Sequence, residues 1–298
     1  MNDNTPSTQP RLPTLSDLPS PLVGTIVAHD TSVSNCLILL HGLGDSHLPF
    51  AQLARCLNLP QTVCISLRGL KPVPLVSDLS DDGSGSWHWG ADLAFDQDGL
   101  VSDDADLHDA IQALQALCRV LTAPLPTGCG FRSQAIFLMG FGQGGRLALL
   151  LALAQGTLPS ISPTSIHPNS TQPSYTSRLG GVLSIGGIIE HIPPSSQNTP
   201  SFTPNLHHSH SDNSSSGLFT PLSALPPQQS SPRIPTPILI CGGDDDSSIT
   251  PDAIQTLRGI FYDVEQIIWD DHYADTMPHS PREWYPLLQW FSRRLLHT

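Results

Sequence analysis

Short runs built wholly of apolar side chains recur along this chain, and they constrain its fold more than any other feature. Cys36-Leu37-Ile38-Leu39-Leu40 is the clearest of them. A strand with one wet face alternates apolar and polar residues, whereas a continuous apolar run fits a strand buried on both faces. Further strand-like runs at 23–29, 62–66, 134–139, 181–185, 237–241 and 264–269 are separated by helix-like segments at 103–121, 146–154, 251–258 and 281–296. In the first of those helices Ile111, Leu114, Leu117, Cys118 and Leu121 share one face. Strands alternating with helices predict an α/β chain with a doubly wound, mostly parallel sheet and helices on both faces.

The polar residues are unevenly spread. Of 298 residues only 39% are hydrophobic, because Ser, Pro, Thr and Asn crowd three segments. Residues 1–21 read as a disordered tail, and about 157–178 and 193–235 as low-complexity insertions into a domain at 22–298. Setting them aside leaves roughly 230 residues to build the core. His207, His208 and His210 lie in the second insertion without accompanying ligands, and read as part of a solvated tract.

Charge and cysteines narrow the function classes. The formal net charge is −13 and Lys71 is the only lysine, so the basic footprint of a nucleic-acid binder is missing. The six cysteines have no paired spacing, which fits free thiols in a reducing compartment. The N-terminal segment has no basic stretch followed by an apolar one, and the longest apolar stretch, 147–154, is too short to span a bilayer. A cytoplasmic protein without stable membrane insertion is the expectation.

The chemistry-bearing motif follows the run at 135–139. Gly140-Phe141-Gly142-Gln143-Gly144-Gly145 leads into the helix-like run at 146–154. A strand, a sharp turn and a helix are the setting of the nucleophile elbow, G-x-S-x-G, but here the central residue is Gly142. Gly140, Gly142 and Gly145 also fit G-x-G-x-x-G, a dinucleotide-binding fingerprint. That alternative needs an acidic residue about 20 residues onward. No Asp or Glu occurs between Asp109 and Glu190.

Two more motifs join the turn. Leu40-His41-Gly42-Leu43-Gly44-Asp45 directly follows a strand, and Gly242-Gly243-Asp244-Asp245-Asp246 follows a late one, with Met277-Pro278-His279-Ser280 after the next. Together they resemble the acyl-protein thioesterase and phospholipase/carboxylesterase family of α/β-hydrolases, which shows L-H-G-L-G-D, G-F-S-Q-G-G, G-D-x-D and M-x-H-S. Ser86-Trp87 is similar to that family's S-W element. The resemblance spans about 22–298 apart from the insertions. It implies Asp246 as triad acid, His279 as base, Leu43 and Gln143 as oxyanion-hole amides, and Gly142 in the place of the nucleophilic serine. Asp244 is the alternative acid and His272 a second histidine candidate.

Without the serine hydroxyl the usual acyl-enzyme cannot form. The resemblance therefore implies an impaired hydrolase or pseudo-hydrolase that binds acyl esters, thioesters or acylated proteins. One alternative is hydrolysis by water activated by His279 and Asp246; another is an interaction role carried by the insertions. No cofactor and no metal is implied.

Overall fold

The computed structural model describes residues 9–74, 85–95, 101–102, 105–157, 178–189, 233–245 and 247–296. Apart from 157, 178 and 233–235, the expected insertions lie outside these residues, as do Asp246 and the histidines at 207, 208 and 210. The chain divides into two compact units, Met1–Glu190 with Arg233–Thr298, and His191–Pro232; the second lies outside the described residues.

Seven strands form the central sheet of the first unit: β1 (Gly24–Ala28), β2 (Asn35–Leu40), β3 (Thr62–Leu67), β4 (Ile136–Phe141), β5 (Gly181–Ile185), β6 (Ile238–Gly243) and β7 (Val264–Trp269). Their spatial order is β1-β3-β2-β4-β5-β6-β7. Only β1 runs antiparallel, on β3; every other pairing is parallel. The helices are α1 (His47–Leu57), α2 (His108–Thr122), α3 (Gln143–Thr157), α4 (Pro251–Ile260) and α5 (Pro281–Ser292). The α/β class and the mostly parallel, doubly wound sheet are those expected.

The apolar runs explain the layering. All six residues of β2 and of β3 are buried. Ile38, Leu40, Ile65 and Leu138 point to one face, where they pack with residues of α2, α3 and α4 such as Leu114, Leu147 and Leu257. Leu37, Leu39 and Met139 point to the other and meet Phe50 of α1 and Trp290 of α5. Each fully buried aliphatic side chain contributes about 1.5–3 kcal/mol. Helix α3 is apolar nearly all round, which fits its place against β4, β5 and α2. At the far edge β7 is only half-buried, and Glu265 pairs there with Arg293 and Arg294. Charges on an edge strand discourage pairing with another chain.

Part of the expected tail is held against the body. The Arg11 guanidinium pairs with both carboxylate oxygens of Asp17, at 2.8 and 2.6 Å, and donates to Gly128 O at 3.0 Å. Leu12 and Leu18 then pack on the core. Composition alone reads this stretch as unstructured because its anchor is one side-chain pair and a contact 117 residues away.

The topology also locates a ligand crevice. The chain leaves β2 for β3 on one side, while β4 lies on the other. Open parallel sheets bind ligands beyond the carboxyl ends of the strands at such a reversal. The segments following Leu40 and Phe141 emerge side by side there.

The bidentate pair gives a direct expectation. Asp17→Asn lowers stability to urea by about 1 kcal/mol, and limited proteolysis then cuts within residues 9–21 before the body.

Candidate active site

Gly142 forms the apex of the turn between β4 and α3, at φ +50°. Its N–H donates to Ile185 O at 2.8 Å, and its carbonyl accepts the first helical bond of α3, from Arg146 N at 3.0 Å. Among the described residues, its chain neighbours apart, a Cβ added at Gly142 would meet no heavy atom within 4 Å. Gly144, two residues on, is the opposite case: an added Cβ would run into the carbonyl oxygens of Leu40 and, at 2.5 Å, His41. The first turn of α3 therefore rests on the end of β2, and backbone cannot give way as a side chain would.

The segment after β2 is fixed by hydrogen bonds. Gly44 N donates to Trp87 O and Trp87 N to Asp45 O, both at 2.9 Å. Trp89 ties this segment to α3: its indole N–H donates to His41 O at 2.8 Å and its backbone N–H to Gln143 Oε1 at 2.7 Å. Among the described residues neither the Leu43 N–H nor the Gln143 N–H has an intramolecular partner. They are the two amides the resemblance assigns to an oxyanion, and both remain able to donate.

His41 is buried and serves the same framework. Gly69 N donates to its Nε2 at 2.8 Å, so Nδ1 carries the proton and donates to Gly42 O at 2.7 Å. Burial pushes its pKa down to about 4, because charging the ring would cost its hydration.

A cavity of about 470 Å³ opens at the turn. Phe141, Gly142, Gly186, Ser247, Ser248, Ala274 and Asp275 line it. Asp275 is held by three hydrogen bonds, from Gly243 N (3.0 Å) and Ser247 Oγ (2.7 Å) to Oδ1 and from Ser248 N (2.8 Å) to Oδ2, while the single hydrogen of Ser248 Oγ is shared between Oδ2 at 2.8 Å and Gly186 O at 2.7 Å. Motif reasoning misses this residue. Its one sequence signal is its place in the segment after β7, just before Met277-Pro278-His279-Ser280.

Of the expected acid and base, only the base is among the described residues. Asp246 is outside the described residues, and Asp244 is exposed with its N–H bonded to His272 O at 3.0 Å. His279 is exposed and does not line the cavity. Its ring stacks on His272, centroids 4.7 Å apart, and its N–H donates to Glu283 Oε2 at 2.6 Å. His272 is buried, with Nε2 3.2 Å from Glu283 Oε2 and Nδ1 2.7 Å from Thr276 Oγ1. Glu283 holds its proton less readily than an ordinary glutamate, first because of the His279 N–H and then the Ser280 hydroxyl. The Ser280-x-x-Glu283 spacing at the start of α5 is a capping-box pattern legible in the sequence.

Comparison with known proteins bears on the fold and the family. Residues 23–162 match the phospholipase/carboxylesterase family. An uncharacterized hydrolase of Schizosaccharomyces pombe is 31% identical over 280 residues, covering 94% of this chain and 91% of its own. Among solved structures, Zea mays acyl-protein thioesterase 2 superposes with a TM-score of 0.51 at 18% identity, covering 92% of this chain and 99% of its own. A carboxylesterase from Mesorhizobium loti gives 0.54 at 14% identity, covering 96% and 99%. At such identities the two structures establish the fold.

Two outcomes follow from the site. Gly142→Ala costs about 1–2 kcal/mol, the strain of a left-handed residue in open space, whereas Gly144→Ala costs more than about 4 kcal/mol or leaves no folded protein; urea denaturation separates them. Because the pKa of His41 is lower in the folded state than its ordinary value of 6.5, its contribution to stability is complete above about pH 6.5 and is lost as pH falls toward about 4. Urea midpoints read across that window decline with acidification, and His41→Gln flattens the decline.

Proposed function

We propose that this chain, which belongs to the phospholipase/carboxylesterase family of the α/β-hydrolases, keeps a cavity for an acyl ester or thioester, free or on an acylated protein, and has lost the covalent route to its hydrolysis. The observation that carries this reading is Gly142, an apex without a side chain that faces open space. A serine hydroxyl there would attack the acyl carbon and form an acyl-enzyme; glycine offers no atom for that bond.

The cavity wall supports the same reading. A working triad places an imidazole beside the nucleophile, where it takes a proton and, once charged, favours the oxyanion. Among the described residues the lining of this cavity holds the Asp275 carboxylate and no imidazole. Water activation by His279 and Asp246 finds less support, because the His279 ring stacks on His272 and His279 is not among the described residues that line the cavity. All six cysteines are free, five of them buried, which fits a reducing compartment such as the cytoplasm. Among the described residues no helix is long and apolar enough to cross a membrane.

The test uses purified full-length protein with p-nitrophenyl esters, acyl thioesters and a fluorophosphonate. Wild type shows background turnover and no labelling, yet binds intact ester by calorimetry, and Ala274→Phe, which fills the cavity, removes that binding. Gly142→Ser alone stays weakly labelled for want of a base, and Gly142→Ser with Asp275→His gains labelling. Wild-type turnover that disappears in His279→Ala would establish the water route and overturn the proposal.

A further inference from the structure

The segment between β7 and α5 and the first turn of α5 bring together three metal-ligand groups. A ring nitrogen of His272, a ring nitrogen of His279 and a carboxylate oxygen of Glu283 all lie within 4.8 Å of one another. They come from three exposure classes: His272 buried, Glu283 half-buried, His279 exposed. One ligand is thus anchored in the body and one faces solvent, from which an ion would enter.

The distances fit coordination. His272 Nε2 and Glu283 Oε2 are 3.2 Å apart. That is long for a hydrogen bond between an imidazole and a carboxylate, which closes to about 2.7–2.9 Å when charge assists it. It is close to the roughly 3.3 Å that separates two ligand atoms each about 2.0–2.1 Å from a tetrahedral zinc ion. The ring nitrogen of His279 lies within 4.8 Å of both, and its imidazole makes no hydrogen bond among the described residues and is exposed. A rotation about its side-chain bonds closes the gap.

The surroundings supply what ligands need behind them. A coordinating imidazole ordinarily hydrogen-bonds through its second nitrogen, and His272 Nδ1 has Thr276 Oγ1 at 2.7 Å. A coordinating carboxylate is itself held, and Glu283 receives Ser280 Oγ at 2.8 Å and the His279 N–H at 2.6 Å. Trp269 packs against His272 with ring centroids 5.0 Å apart and limits its motion. Two imidazole nitrogens and one carboxylate oxygen suit a borderline ion such as Zn²⁺; Mg²⁺ and Ca²⁺ prefer oxygen alone.

We infer that His272, His279 and Glu283 form a Zn²⁺ site, completed by water, that fastens the segment after β7 to the first turn of α5. The inference is independent of whether Gly142 supports turnover. It has a consequence for the cavity all the same. Ala274 and Asp275 lie between the two histidines in sequence and line the cavity, so the ion fixes part of its wall.

The test is calorimetric titration of metal-stripped, tag-free full-length protein with Zn²⁺ alone, paired with thermal melts. Wild type binds one equivalent at this site and melts higher with zinc. His279→Ala, an exposed change that spares the fold, and Glu283→Gln, which keeps the carboxyl shape, each weaken that equivalent tenfold or more and abolish its thermal shift. Replacing His207, His208 and His210 together with Ala leaves it in place. Substituted Co²⁺ shows a visible absorption band that His279→Ala removes. No binding by wild type, or binding and thermal shifts unchanged in His279→Ala and Glu283→Gln, would overturn the site; so would loss that follows only the 207, 208 and 210 replacement.

Discussion

The first turn of α3 lies on the carbonyl end of β2, and the geometry of the site depends on that approach. Gly144 touches the Leu40 and His41 carbonyls where any side chain would collide with backbone. The contact brings the Gly142 turn beside the Leu43 segment, although they are about a hundred residues apart in sequence (roughly the length of a small domain). Trp89 then locks the pair by bonding to His41 on one side and Gln143 on the other. The sheet supplies the force behind this arrangement. Both faces of β2 and β4 are buried, so their register cannot slip without moving apolar side chains to the wrong layer.

That frame separates fold from chemistry. Nothing in the packing of α3 on β2 needs a hydroxyl at position 142, and the left-handed backbone there favours glycine. A serine in the same conformation would hold strain of about 1–2 kcal/mol for the sake of its oxygen. The Leu43 and Gln143 N–H groups belong to the backbone and are indifferent to the side chain at position 142. A chain can therefore keep this turn, its cavity and two available N–H donors with either residue at the apex.

The sequence makes the sheet legible and the site only partly so, for a physical reason. Strands such as β2 and β3 announce themselves because burial on both faces demands an unbroken apolar run. The turn at 140–145 is legible because close backbone approach demands glycine at Gly144. Arg11–Asp17 is different: charge and proline content suggest a loose tail, and the fixing contact is with Gly128, far along the chain. Asp275 is hidden for a similar reason. Its role is set by where a loop travels after β7, and by Ser247 and Ser248 on another loop. Local pattern has no access to either. His279 shows the converse, a residue whose motif is clear and whose ring nevertheless faces His272 and Glu283.

One backbone path thus decides two questions. Between Trp269 and Ser280 the chain must cross the carboxyl edge of the sheet and reach the N-cap of α5. A path that buries His272 against Trp269 and seats Asp275 on Ser247 and Ser248 leaves His279 at the start of α5. The bonds to Asp275 and the Ser280–Glu283 cap hold the two ends of that path. His279 suits the role of a ligand beside His272, because that role asks for rotation of an exposed ring and no change in the backbone.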